Sequence, residues 1–149
     1  MLPLIPIGAA ILSAAVLIKN KLKSNAKKAS HSKLIDYVKS LNIPVDDNGN
    51  FNPDALLPDG KPILFDVMFN TELFTALLDY GANPNICNTN GTPAIIYAVT
   101  HHSYSEQVKA ISTLLKYGAN PNAMDSDGKT AVFHANSYTL LRQLKDAGA

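Results

Sequence analysis

The chain begins with seventeen consecutive apolar or small residues, at positions 2–18, and none of their side chains carries a charge. A helix rises 1.5 Å per residue, so this run would extend about 26 Å, close to the hydrocarbon thickness of about 30 Å. The pattern predicts one transmembrane helix over residues 1–18 and a basic linker over residues 19–31. Positive charges next to a membrane span attract anionic lipid headgroups. The linker begins with what we call the lysine collar, which consists of Lys19, Lys21, Lys23, Lys27 and Lys28.

Two alternatives exist for the same apolar run: a cleaved secretory signal and an interfacial amphipathic helix. A signal usually has positive charges before its apolar segment, and here only the N-terminal amine precedes it. An interfacial helix would have a polar face, which this run lacks. Because a basic segment after a span tends to stay in the cytoplasm, we expect the body of the chain on the cytoplasmic side of a bacterial inner membrane. A cleaved signal would place the body in the periplasm instead.

Apolar residues recur at helical spacing at the start of the body. Residues 33–41 carry Leu34, Ile35, Val38 and Leu41 three or four positions apart, which predicts an amphipathic helix. The segment that follows is rich in proline, aspartate, asparagine and glycine, which favour turns. We therefore divide residues 32–56 into an N-terminal capping helix and an irregular connection.

The rest of the chain contains an internal repeat. Residues 77–85 recur 37 positions later as residues 114–122, with eight of nine positions identical. In both copies a glycine, Gly81 or Gly118, follows a helical apolar stripe, and a second glycine comes ten residues after the first. Such self-similarity is typical of repeat proteins, in which each unit buries its apolar face against its neighbours.

The repeats have a recognisable internal order. Apolar spacing predicts helices over 71–80 and 106–117, and glycine ends each helix because it adopts the left-handed conformation readily. Turn-forming residues follow, and new helices are predicted at 94–99 and 131–135. In the last copy Lys145 replaces the second leucine of the stripe, which suits a polar outer face at the end of an array.

These motifs resemble the ankyrin-repeat family. Residues 128–135, GKTAVFHA, resemble the family's G-x-T-P-L-H-x-A stretch, and residues 91–98 and 60–67 are looser versions at matching offsets. The resemblance implies about three ankyrin-type repeats over residues 57–149. The expected fold is therefore an all-α, helix-turn-helix solenoid with hairpin-like turns, preceded by one transmembrane helix.

The chain departs from the family pattern at two positions. Phe65, Ile96 and Phe133 stand where the family usually has histidine, and only Thr130 keeps the usual threonine. Because that threonine normally bonds within the turn, we expect less regular turns here.

The distribution of charge and the search for catalytic and metal-binding motifs limit the classes of function that we expect. The net charge of +1 conceals a basic collar, because residues 29–149 carry 8 basic and 12 acidic residues. A net charge of −4 on the body disfavours nucleic-acid binding. The adjacent His101 and His102 lack further ligands at metal-binding spacing, and no glycine-rich phosphate loop is present. We therefore expect no catalytic residues, no metal, no cofactor and no small-molecule substrate.

Ankyrin-type repeats recognise other proteins through the turn tips and the first helix of each repeat. The resemblance implies that the equivalent positions here contact an unidentified protein partner. Tyr104, on the insertion at 101–105, is the aromatic residue that we expect to anchor the partner, because aromatic residues are enriched in binding hot spots. The implied partner-binding residues are Asp59, Lys61, Phe69, Asn70, Thr89, Asn90, Thr92, Thr100, His101, Tyr104, Ser126, Asp127, Lys129, Ser137 and Tyr138.

The sequence thus predicts a membrane-tethered module for protein–protein interaction. Two other roles fit the same features. The protein could be an inhibitor, such as an immunity protein that neutralises a toxin or effector. It could also be an exported periplasmic protein that assists an enzyme.

Overall fold

A computed structural model describes residues 7–101 and 103–149, with the backbone alone over residues 7–18. The helices of this described part lie in the order expected for a repeat array, with a long N-terminal helix first and three helix pairs after it. They are α1 (Ile7–Ser40), α2 (Ile63–Val67), α3 (Thr71–Tyr80), α4 (Ala94–Thr100), α5 (Tyr104–Lys116), α6 (Ala131–His134) and α7 (Tyr138–Asp146).

The predicted anchor and linker fall on α1. Residues 1–6 lie outside the described residues. Within the part of the chain that the structure describes, no helix has the length and apolar character needed to cross a membrane. Residues 19–31, which we expected to form a linker, are helical and continue without a break into the expected capping helix. One helix, α1, therefore includes both the expected linker and the expected capping helix.

The end of α1 leads into the repeats through a segment without helix. Asn42 takes the left-handed conformation, with φ 57°, directly after the last turn of α1. Residues 43–62 then form consecutive turns. The proline and glycine content of this segment predicted its irregular path.

Each repeat consists of a short first helix and a longer second helix that pack on each other. The contacts pair α2 with α3, α4 with α5, and α6 with α7. The conserved leucine of the stripe is fully buried in all three second helices, at Leu77, Leu114 and Leu144. Lys145, which stands where the earlier copies have Leu78 and Leu115, is exposed. The core is therefore one continuous layer between the two rows of helices.

Two helix boundaries show how capping decides where an element begins. The bounds predicted for α3 agree with the structure. Helix α5 begins two residues before the predicted position, at Tyr104. Ser103 and Glu106 form a capping box there, and Ser103 Oγ lies 2.6 Å from the Glu106 carboxylate. The predicted insertion thus supplies the first turn of α5.

The turns are regular, so the expectation of irregular turns is wrong. The turns at 57–61, 88–92 and 125–129 are all closed by the same two backbone hydrogen bonds, of 2.8–3.0 Å. In the last two turns the side chain of the first residue, Asn88 or Asp125, accepts two backbone N–H groups. This side chain stabilises the turn without the threonine that the family usually has.

Candidate protein-binding surface

Side-chain hydrogen bonds of ordinary length stabilise two of the turn tips. Oδ1 of Asn88 accepts the N–H groups of Asn90 at 3.0 Å and Thr92 at 2.9 Å. Oδ1 of Asp125 accepts the corresponding groups of Asp127 and Lys129 at 3.0 and 2.9 Å. The predicted tip residues therefore stand on ordered backbone rather than on a mobile loop.

The turns of neighbouring repeats are joined by a ladder of side chains. Asp54 accepts the backbone N–H of Asn83 at 2.8 Å, and Asn85 accepts that of Asn120 at 2.6 Å. Asn122 continues the ladder by donating to the Gly148 carbonyl at 2.9 Å. The ladder fixes the spacing between turns.

The first rung of this ladder, at Asp54, was not predicted from the sequence. Residues 52–54, Asn-Pro-Asp, are a third copy of the Asn-Pro-Asn triplet at 83–85 and 120–122. The nonamer repeat does not extend to this copy, because the residues before it differ. A search with the triplet alone would have found it.

A charged cluster lies at the N-terminal end of the first-helix row. Tyr37 Oη donates a hydrogen bond to Oδ2 of Asp66, and the Lys61 ammonium lies 2.9 Å from Oδ1. The Tyr37 hydrogen bond, followed by Lys61, lowers the pKa of Asp66. Burial, with the Asp66 contact next, raises the pKa of Tyr37 to about 12. Lys61, a predicted partner-binding residue, is thus partly engaged within the protein.

A second cluster lies in the third repeat. Nε2 of His134 lies 2.8 Å from Oδ2 of Asp125, which ties α6 to its turn. The Lys129 amide, with the His134 ring and the Asp127 amide next, lowers the pKa of Asp125. The Lys129 ammonium lies 4.9 Å from the centre of the Phe133 ring. His134 therefore supports the turn.

An aromatic cluster occupies the middle of the surface. The Tyr97 ring stacks on His101 with 3.8 Å between centroids, and its edge meets Phe65 at 5.0 Å. Phe69 lies 6.4 Å from the same ring. The cluster brings two predicted residues, Phe69 and His101, onto one patch that spans the first two repeats.

The other predicted residues fall into two groups. Asn70 and Ser137 accept backbone N–H groups at the starts of α3 and α7, and Thr100 donates to the Ile96 carbonyl, so these three residues stabilise helix ends. Tyr104 is 49% exposed and Tyr138 is 79% exposed. The predicted residues that are exposed are Asp59, Asn70, Thr89, Asn90, Thr100, His101, Tyr104, Ser126, Asp127 and Tyr138, whereas Lys61, Phe69, Thr92, Lys129 and Ser137 are half-buried.

Four exposed apolar residues on this surface were not predicted from the sequence. Phe133, on α6, is 67% exposed although it stands in an apolar helical pattern. Leu56, Cys87 and Met124 are exposed at equivalent positions, just before each turn, where each pairs with the residue directly after the turn. Aligning the three turns would have placed them in one row.

A groove of about 520 Å³ lies on the other side, between α1 and α3. Lys27 and Asp79 form an ion pair of 3.4 Å at one end, and Lys33 and Glu72 form another of 2.9 Å. His31 stacks on Tyr80 with 5.2 Å between ring centroids. These contacts attach α1 to the repeats.

Side chains that could bind a metal ion do not cluster in the described part of the chain. No three histidine, cysteine or carboxylate side chains converge there as metal ligands would. His102 lies outside the described residues.

The order of helices, the closed turns and the ladder agree with the sequence comparison. Residues 63–149 match the family model described as "Ankyrin repeats (3 copies)". The chain belongs to the ankyrin-repeat family. Ankyrin repeats are ordinarily non-enzymatic, and residues 63–149 form a module for protein–protein interaction.

Solved structures agree with this assignment. An ankyrin repeat domain from Acinetobacter baumannii AYE is 27% identical, with a TM-score of 0.61 over 68% of this chain and 55% of that chain. The ankyrin repeat domain of Bcl-3, a member of the IkappaB family, is 22% identical, with a TM-score of 0.57 over 66% and 42%. The human ASB11 ankyrin repeat domain is 21% identical, with a TM-score of 0.56 over 68% and 45%. This chain thus covers about half the length of the structures it matches.

Proposed function

We propose that this ankyrin-repeat protein is tethered to a membrane and binds a partner protein through exposed aromatic residues. The observation that carries the proposal is the exposure of Tyr104, Phe133 and Tyr138, which ranges from 49 to 79%. Large aromatic side chains lose little conformational entropy on binding and bury a large area, so they dominate many interfaces. In this chain they stand on helices that the core holds in place.

The tether is inferred from the apolar run at 2–18 and the lysine collar. The collar lysines are exposed along α1, and all of them except Lys27, which pairs with Asp79, form no ion pair with the described repeats. Each such charge contributes about 1 kcal/mol of attraction close to the surface. By the asymmetry of positive charge, the repeats lie on the cytoplasmic side of a bacterial inner membrane.

Site-specific photocrosslinking of the full-length protein in cells tests partner binding. A crosslinker at Tyr104 or Tyr138 is expected to capture the same discrete partner. The matched control is Lys116, which is exposed at the end of α5, the opposite end of that helix from Tyr104. Equal crosslinking at all three sites, or none at the two tyrosines, would contradict the proposed surface.

Membrane attachment is tested by flotation of the full-length protein with vesicles that contain anionic lipid. We expect the protein to float with the vesicles, and replacement of Lys19, Lys21 and Lys23 by glutamine to weaken this association in vesicles rich in anionic lipid. A reporter enzyme fused to the C-terminus tests the side of the membrane. Activity of only a reporter that requires the periplasm would contradict the cytoplasmic placement.

A further inference from the structure

Helix α1 is fixed to the first repeat over its last fourteen residues. Leu34 and Val38 are fully buried against the repeats. The Lys33 ammonium binds both oxygens of Glu72, at 2.9 and 3.0 Å, and Ser30 donates to the same carboxylate at 3.2 Å. Burial of apolar side chains is the main favourable contribution to such a contact, so α1 is held in one position on the repeats.

The ion pairs also give the relative direction of the two helices. Lys27 of α1 meets Asp79, near the end of α3, whereas Lys33 meets Glu72, near its beginning. Six residues separate the contacts on α1 and seven separate them on α3. Near-equal spacing in opposite order means that the helices run nearly antiparallel.

The direction decides which end of the repeats faces the start of α1. The C-terminal end of α3 and the turn that follows it lie toward the lysine collar. The beginning of α3 lies away from it, and α5 begins at the same end, because Thr71 and Glu106 line one small cavity. The turn tips and the starts of the second helices, α3 and α5, are therefore at opposite ends of the helix layer.

The dimensions follow from the helical rise of 1.5 Å per residue. Lys19, at the start of the collar, stands about 12 Å along α1 from Lys27, which contacts the end of α3. Helix α3 has ten residues and is about 15 Å long. The start of α3 thus lies about 15 Å farther from Lys19 than the end of α3, where the next turn begins.

We propose that α1 acts as a rigid strut that holds the repeats on the membrane in one orientation. The turns lie near the bilayer, and the starts of the second helices point away from it. This inference rests on the proposed tether. It assigns partner recognition to the outward half of the predicted surface, at Phe69, His101, Tyr104 and Tyr138. A soluble protein that approaches from the aqueous phase reaches these residues first.

Energy transfer to headgroup-labelled lipid tests the strut in vesicles that carry the full-length protein. Cys87, which is exposed, is first replaced by serine. A single dye is then placed on Asn90→Cys at a turn tip or on Tyr104→Cys at a helix start. We expect stronger transfer from position 90, equivalent to a separation about 15 Å shorter along the membrane normal.

A flexible insertion provides the control. Four glycine and serine residues after Asn25 interrupt the helix between the first three collar lysines and the attached part of α1. The difference between positions 90 and 104 is expected to shrink in this variant. Equal transfer from both positions in the uninterrupted protein, with the protein bound to vesicles, would overturn the strut and leave the tether intact. Failure of the protein to bind vesicles would overturn the tether and, with it, the strut.

Discussion

The Tyr117 hydroxyl donates a hydrogen bond of 2.6 Å to Oδ1 of Asp79. Oδ2 of the same carboxylate lies 3.4 Å from the Lys27 ammonium. One carboxylate on α3 thereby joins the next repeat on one side and α1 on the other. The stability of the array and the position of its N-terminal helix are linked through this residue.

Replacing Tyr117 by phenylalanine removes the hydroxyl and keeps the ring. We expect a loss of about 1 kcal/mol in the free energy of unfolding, typical of one hydrogen bond at a partly exposed site. The measurement is thermal unfolding in mild detergent, followed by circular dichroism, where the midpoint should fall by about 4 °C. The exposed Tyr104→Phe is the control and should leave the midpoint unchanged. An equal shift in both variants would show that the Asp79 contact contributes nothing.

Tyr37 and Tyr117 should lose their hydroxyl protons at a higher pH than a tyrosine in an unfolded chain does. Burial, with the nearby aspartate next, raises the pKa of Tyr37 and of Tyr117 to about 12, above the value of about 10 in the unfolded chain. The neutral form is thus favoured in the folded state, so this stabilisation is present below pH 10 and is lost as the pH rises toward 12. Ultraviolet titration of the chain should show a late component that disappears in the Tyr37→Phe, Tyr117→Phe double variant. Early ionisation of all tyrosines would contradict these contacts.

The elements of the fold were predictable because their signals are local. Apolar spacing gave α3 with its observed bounds, and glycine marked the ends of the second helices. The continuous α1 was not predicted, because the polar residues 19–31 lack an apolar stripe. These residues are helical as the middle part of a helix that begins before them and ends after them. The regular turns were also missed, since Asn88 and Asp125 perform a function that we assigned to an absent threonine.

The candidate surface was predictable only in part. Exposure of Tyr104 and Tyr138 follows from their places at helix starts. Engagement of Lys61 by Asp66 depends on Tyr37, which is distant in sequence, and no local pattern indicates it. Exposure of Phe133 depends on how α6 packs against the other helices, which sequence spacing does not reveal.

The contact between Lys33 and Glu72 should be visible in the acid titration of the protein. Lys33, with Ser30 next, lowers the pKa of Glu72. A depressed carboxyl pKa stabilises the fold at pH above the unfolded pKa, and this contribution is lost as the pH falls through the lower pKa of the folded state. Carboxyl NMR should show that Lys33→Met raises the pKa of Glu72. Lys39→Met, at the exposed end of the same helix, should not, and a similar pKa in both variants would place α1 elsewhere.

Asn85 should matter for the coupling between repeats. Its side chain accepts the Asn120 N–H at 2.6 Å and donates to the Gly118 carbonyl at 3.2 Å. Asn85→Ala removes both bonds and should cost about 1–2 kcal/mol. Because repeat arrays unfold cooperatively only while neighbours are coupled, the urea transition should also broaden. Asn90→Ala, at an exposed turn tip, should cause neither change, and a sharp, unshifted transition for Asn85→Ala would show that the ladder does not couple the repeats.

The attachment of α1 can be measured with two leucines on the same helix. Leu34 is fully buried against the repeats, whereas Leu22 is exposed on the preceding part of α1. Leu34→Ala leaves a cavity and should reduce the free energy of unfolding by about 2–5 kcal/mol, whereas Leu22→Ala should leave it nearly unchanged. Hydrogen exchange in the same samples locates the effect, since release of α1 should expose the amides of 27–40 before those of α5. Equal stability of the two variants, with unchanged exchange in α1, would mean that the helix is not fixed to the repeats and that the repeats are free to turn relative to it.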